Sequence, residues 1–145
     1  MNKQFDKLSP EDRELLYKAP VLVSVLASCS LNEVNEAQKA DAIKLSHLKT
    51  FTSDPVLRDY YEEVDKQFKN QFEAIAKEYY PFNEDKRNAL KNEIERVNLV
   101  LGKVGIPLGQ VLHKSLEGYA NHVKKANHSV FQDFIFPLPI PGLSA

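Results

Sequence analysis

The stretch DPVLRDYYEEVDKQFKNQFEAIAKEYY, Asp54 to Tyr80, decides the fold. Leu57, Tyr60, Tyr61, Val64, Phe68, Phe72, Ile75 and Tyr79 recur at intervals of three and four, with Glu62, Glu63, Lys66, Lys69 and Glu73 on the other side. That spacing is one apolar face of a 3.6-residue helix and does not fit a strand. Asp54-Pro55 opens the helix with a capping carboxylate followed by a residue that has no N–H to leave unpaired, and Tyr80-Pro81 stops it. The doublets Tyr60-Tyr61 and Tyr79-Tyr80 cannot both point inward at every position, so the stripe is expected to leave a tyrosine near the surface.

Similar punctuation divides the rest of the chain. Ser9-Pro10-Glu11-Asp12 is a helix start in which the hydroxyl accepts from free N–H groups and the acids face the positive end of the dipole. Pro20 is expected to break this helix near Lys18 or to restart it. Val21 to Ala27 is β-branched enough for a buried strand, yet no second run exists to pair with it, and a buried helix is the better assignment. Asn35, followed by Glu36, Ala37 and Gln38, caps a helix to about Lys49, with a loop over 50–54. Asn83 caps another, striped by Leu90, Ile94, Val97 and Leu101. Gly102 to Pro107 supplies its exit and the next start. A last helix runs to about Ala126 on Leu108, Val111, Leu112, Leu116, Tyr119 and Val123. The expected architecture is an all-α, compact bundle of five to six helices over residues 1–128, followed by an extended apolar Pro-rich tail over 129–145.

Composition sets outer bounds. The 145 residues suit one domain with a real core, and 43% hydrophobic against 27% charged residues is a globular balance. Nineteen Lys+Arg against 20 Asp+Glu argue against a general polyanion binder, so no nucleic-acid partner is expected. The single cysteine excludes an internal disulfide and a multi-cysteine metal site. The longest apolar run, Ala19 to Leu31, is shorter than a bilayer span and contains three serines, and the polar amino-terminal residues form no signal-peptide core. A cytoplasmic protein without a membrane span is the expectation. Residues 1–84 carry 11 basic and 15 acidic side chains and residues 85–128 carry 8 and 4, which makes the two parts electrostatic complements.

Residues Phe134 to Leu143 contain no charge, and Pro137, Pro139 and Pro141 occupy every second position. In an extended chain the prolines share one face, while Phe134, Phe136, Leu138 and Ile140 share the other. Prolines cannot donate to a sheet, so the segment is not a central strand. Its apolar face needs a cover: the bundle itself, a neighbouring copy, or a protein partner.

Catalytic motifs are absent: there is no phosphate-binding glycine loop, HExxH, nucleophile elbow or CxxC. Cys29, within Ala27-Ser28-Cys29-Ser30, suits a small buried hydrophobe. His47 falls in line with Ala40 and Ile43 and is expected to be a partly buried, hydrogen-bonded core histidine. His113 and Glu117, at i and i+4, can share a metal but suit an ordinary surface pair. His113 and His122 are half a turn out of phase. Lys114, Lys124, Lys125 and His128 form a small basic patch without stacking aromatics. No catalytic residue is assigned and no enzyme is expected.

The stretch Ala27-Ser28-Cys29-Ser30-Leu31-Asn32-Glu33-Val34-Asn35-Glu36-Ala37-Gln38 resembles the tellurite-resistance TerB-like domains. In those domains an apolar helix leads through Ala-Asp-Gly-Glu-Ile/Val-Ser/Asp into a helix opened by glutamates. Val34 matches the apolar position, Asn35 the cap and Glu36 the first glutamate. Leu31-Asn32 replaces the family's Asp-Gly, so its acidic ligand is missing. The resemblance implies a helical fold and a small non-enzymatic interaction or scaffold protein linked to stress response. Its contacts would run through Phe134, Phe136, Leu138 and Ile140 together with the exposed edges of the 55–80 helix, either to a protein partner or in self-association. The alternative is a divalent-metal or small-ligand binder using Glu33 and Glu36; a divalent cation is the one cofactor considered, and a hard cation wants more carboxylates than these two.

Overall fold

The computed structural model describes residues 3–30, 33–34, 36–105 and 108–125. They form an all-α bundle of five long helices. A single turn, α1 (Lys3–Asp6), precedes α2 (Pro10–Ser28). A two-residue antiparallel ladder joins β1 (Cys29–Ser30) to β2 (Glu33–Val34), with Ser30 opposite Glu33. Then come α3 (Glu36–Thr52), a 3-10 turn over Pro55–Leu57, α4 (Arg58–Glu78), α5 (Glu84–Val104) and α6 (Leu108–Lys125).

Helix α2 is the axis. It packs on α3, α4, α5 and α6, and every residue from Ala19 to Ser28 is buried. A helix enclosed on all sides needs no polar face, which is why the β-branched run Val21–Ala27 is helical. The other four surround it in the order α4, α3, α6, α5, with α4 and α5 scarcely touching. Their stripes close the core: Val64, Phe68 and Phe72 from α4, Ile94 and Leu101 from α5, Leu112 and Leu116 from α6. The turn α1, carried by a stretch read as merely polar, adds Phe5, and Leu8 follows it into the core.

Pro20 does not break the helix, contrary to expectation. Without an N–H it cannot bond the carbonyl of Leu16 one turn earlier. Tyr60 of α4 supplies the missing donor, its hydroxyl reaching the Leu16 carbonyl at 2.5 Å. Ser24 in turn donates to the Pro20 carbonyl at 2.7 Å. The helix therefore continues through the proline because a side chain from a different helix replaces the lost backbone bond.

Local caps follow the sequence closely. Ser9 Oγ accepts from Asp12 N at 3.1 Å, Asp54 Oδ1 from Val56 N at 3.1 Å, and Asn83 Oδ1 from Lys86 N at 2.8 Å. Asp54 caps the 3-10 turn, which then feeds α4. The Tyr80–Pro81 peptide after α4 is cis. Gly105 closes α5 with φ 88, a left-handed value that favours glycine. Helix α3 outruns its expected end at Lys49 by three residues. Thr50, Thr52 and Ser53 hydroxyls donate to the carbonyls of His47, Leu48 and Lys49, satisfying acceptors that a helix end leaves open.

Candidate functional site

The gap in the ring is a cleft. Where α4 and α5 scarcely touch, about 320 Å³ opens over α2, edged by Glu11, Glu14 and Lys18 of α2, Glu78 of α4, and Glu93 and Arg96 of α5. Arg96 holds both oxygens of Glu93, at 2.5 and 3.2 Å. Tyr79 borders the same cleft, and its phenol is pushed upward by partial burial, then by Glu78 and Glu93. A second groove of about 470 Å³ lies beyond Glu14, between α2 and α4, with Arg13, Tyr17, Glu63 and Gln67 on its walls. Burial and then Glu63 raise the Tyr17 phenol.

A third groove, of about 280 Å³, differs in chemistry. It runs between the start of α3 and the last turns of α4, on Phe72, Ala76 and Tyr80, with Lys39, Glu73 and Lys77 at its edges. Tyr80 is 53% exposed, so one wall is an aromatic ring open to solvent. Lys39 reaches Glu73 at 3.3 Å and lies 5.8 Å from the Phe72 ring centroid. A further apolar surface sits at the other end of α3, where Leu48 and Phe51 are exposed, Phe51 at 66%, and Val56 follows in the 3-10 turn.

The three histidines among the described residues pair with carboxylates. His47 Nδ1 meets Asp65 Oδ2 at 3.2 Å, but its side chain is 65% exposed, which corrects the core histidine expected from its helical phase. The buried face of α3 carries Gln38, Ala42 and Ser46 instead. Ser46, fully buried, donates to the other oxygen of Asp65 at 3.1 Å. The carboxylate thus stands between hydroxyl and imidazole, an order in which the ring cannot take the serine's proton. His113 bonds Glu117 at 3.0 Å as the i, i+4 spacing suggests, yet His113 is buried, not a surface residue. His122 Nε2 reaches Asp41 of α3 at 3.1 Å.

Three tyrosines stitch the helices. Tyr60 and Tyr61 are 1% and 0% exposed, so one doublet does point inward at both positions. The start of α4 is wedged between two partners: Tyr60 turns to α2, and Tyr61 turns to α6, where its hydroxyl meets Ser115 Oγ at 2.6 Å. Tyr119 of α6 donates to the Ala42 carbonyl of α3 at 2.6 Å. Burial pushes the Tyr61 phenol up to about 12, with the Ser115 bond pulling back, and raises Tyr60 and Tyr119 well above the ordinary value. At the second doublet Tyr79 is half-buried and Tyr80 exposed.

Of the residues assigned from sequence, Glu36 is exposed at the first position of α3, and Glu33 lies on the ladder with its side chain outside the described residues. Among the described residues no three His, Cys, Asp or Glu side chains gather to hold a metal ion. Phe134, Phe136, Leu138 and Ile140 lie outside the described residues, as do His128 and the side chains of Cys29, Lys124 and Lys125. Among the described residues no helix is long and apolar enough to cross a membrane. Sequence reasoning missed Phe51, placed in a loop. Its signal is an aromatic out of phase with the buried Gln38, Ala42 and Ser46. No family model, no curated protein and no solved structure matches the chain.

Proposed function

We propose that the chain is a small non-enzymatic interaction protein of TerB-like type, with a scaffold role in stress response. Its contacts run through the uncharged segment 134–143 and the exposed edges of α4 and α3. The observation that supports this most is the apolar surface the bundle leaves uncovered. Its helices have already buried their stripes against one another, and still Leu48, Phe51 and Val56 face solvent at one end of α3 and Tyr80 does so beside the other. Large apolar groups in water favour association, and together with a charge-free segment they make protein–protein contact the simplest use of this surface.

Removing residues 129–145 tests it. Light scattering on the full and shortened chains, and a pull-down with each, should report loss of self-association or of partner capture. An unchanged oligomeric state together with an unchanged pull-down would overturn the proposal.

A further inference from the structure

Helix register points from the end of α6 to the third groove. Tyr61 of α4 meets Ser115 of α6, and further along both helices Phe68, two turns on in α4, stacks on Tyr119, one turn on in α6, with ring centroids 6.2 Å apart, so the two helices run in the same direction. Phe68 then stacks on Phe72, the floor of the groove, at 6.4 Å. Helix α3 runs the opposite way, pairing Ser46 with Asp65 and Lys39 with Glu73. Near the end of α6, the Val123 carbonyl accepts from Gln38 Nε2 at 3.3 Å. The next residue, Lys39, is a groove wall. Helix α6 thus ends at Lys125, level with the groove and heading along α4 toward Ala76 and Tyr80.

We infer that this groove is the docking site for the chain's own segment Phe134–Ile140, held in cis. The inference deepens the interaction function proposed above and rests on it, since docking hides the same apolar face that a partner would take. Three observations favour this occupant. Residues 126–133 separate the end of α6 from Phe134, and eight extended residues reach at most roughly 27 Å, while Gln38, which bonds the end of α6, is the sequence neighbour of the groove wall Lys39. The groove offers Phe72, Ala76 and an open Tyr80 ring, chemistry that suits alternating aromatic and proline side chains. Asp133 is the only charged residue from 129 to 145, and it directly precedes the apolar run. Lys39 is engaged by Glu73, so Lys77 gives the groove edge a net positive charge that matches it.

The chain contains no tryptophan, so Phe134→Trp installs a single reporter in the full-length protein. Its emission should lie to the blue of the same residue in a free peptide of residues 129–145. It should not change over a hundredfold range of protein concentration. Tyr80→Ser and, separately, Lys77→Glu, both at exposed positions, should move it back toward the peptide value while circular dichroism stays unchanged. Emission equal to the free peptide overturns the inference, as does a blue shift that neither groove variant alters. A blue shift that grows with concentration assigns the segment to a second copy and overturns docking in cis. The emission of Phe134→Trp and its response to the groove variants test docking in cis, whereas light scattering and the pull-down on the shortened chain test the interaction function, so failure of the one is distinguishable from failure of the other.

Discussion

Helices α2 and α3 are both inside the same fold, yet they are held by different physics. Along its second half α2 is buried on every side, apolar but for Ser24 and Ser28, and is enclosed by four neighbours. Helix α3 buries only Gln38, Ala42 and Ser46 fully, and is tied down by directed polar bonds. Gln38 reaches the end of α6, Tyr119 reaches back to Ala42, and Asp65 takes both Ser46 and His47. Hydrophobic burial is non-directional and scales with area, whereas each hydrogen bond adds about 1 kcal/mol net and fixes a geometry. The bundle therefore draws its stability from α2 and uses α3 to set the edges of its exposed apolar surfaces.

The largest consequence is at the axis. Leu26→Ala leaves a cavity beneath four helices and should cost about 2–5 kcal/mol, read as a lower urea midpoint at unchanged slope. A loss near that of an exposed position would break the contrast. Next comes the proline. Tyr60→Phe strands the buried Leu16 carbonyl and should cost about 1–3 kcal/mol. In a Pro20→Ala background the backbone N–H is back, that carbonyl has its helical partner, and the same Tyr60→Phe change should cost much less. The cycle isolates one bond between α2 and α4, and additivity of the two changes would refute the exchange of donors.

That exchange also marks where the sequence stops being readable. Ser9, Asp54 and Asn83 announce their caps because the chemistry is local, a side-chain oxygen and an N–H two or three residues on. The stripes of α4, α5 and α6 are legible for the same reason: period alone assigns a buried face. Pro20, the inward doublet Tyr60-Tyr61 and the exposed His47 depend instead on which helix lies alongside. A proline is tolerated where a foreign hydroxyl arrives, and two adjacent tyrosines are buried where a helix has a partner on each flank. The apolar grooves are less legible still, since Lys39 and Phe72 meet only because α3 and α4 run antiparallel.

The phenols set an alkaline limit that the two regions share, with Tyr60 serving α2 and Tyr119 serving α3. In the unfolded chain these groups ionise near pH 10, whereas in the fold Tyr61 is pushed up to about 12 and Tyr60 and Tyr119 are raised well above the ordinary value. Above about pH 10 the folded state keeps protons that the unfolded state has released, so stability falls as pH rises and is fully present below that point. Each phenol contributes a slope of up to about 1.4 kcal/mol per pH unit. Urea midpoints should hold steady from neutrality to about pH 10 and drop beyond it, with Tyr61→Phe making the drop shallower by about one proton.

The smallest effect on stability belongs to the outer end of α3. Phe51 is 66% exposed and stacks only edge-on against His47, which is itself in solvent. Phe51→Ser should therefore change the free energy of urea unfolding by no more than about 0.5 kcal/mol, as at any surface position without buried partners. If α3 serves association, the same substitution should still weaken self-association or partner capture. A change that destabilises the fold would instead place Phe51 with the core, and α3 would no longer differ from α2. A change that alters neither stability nor association would move the contact surface away from this end of α3, toward Tyr80 and the groove it borders.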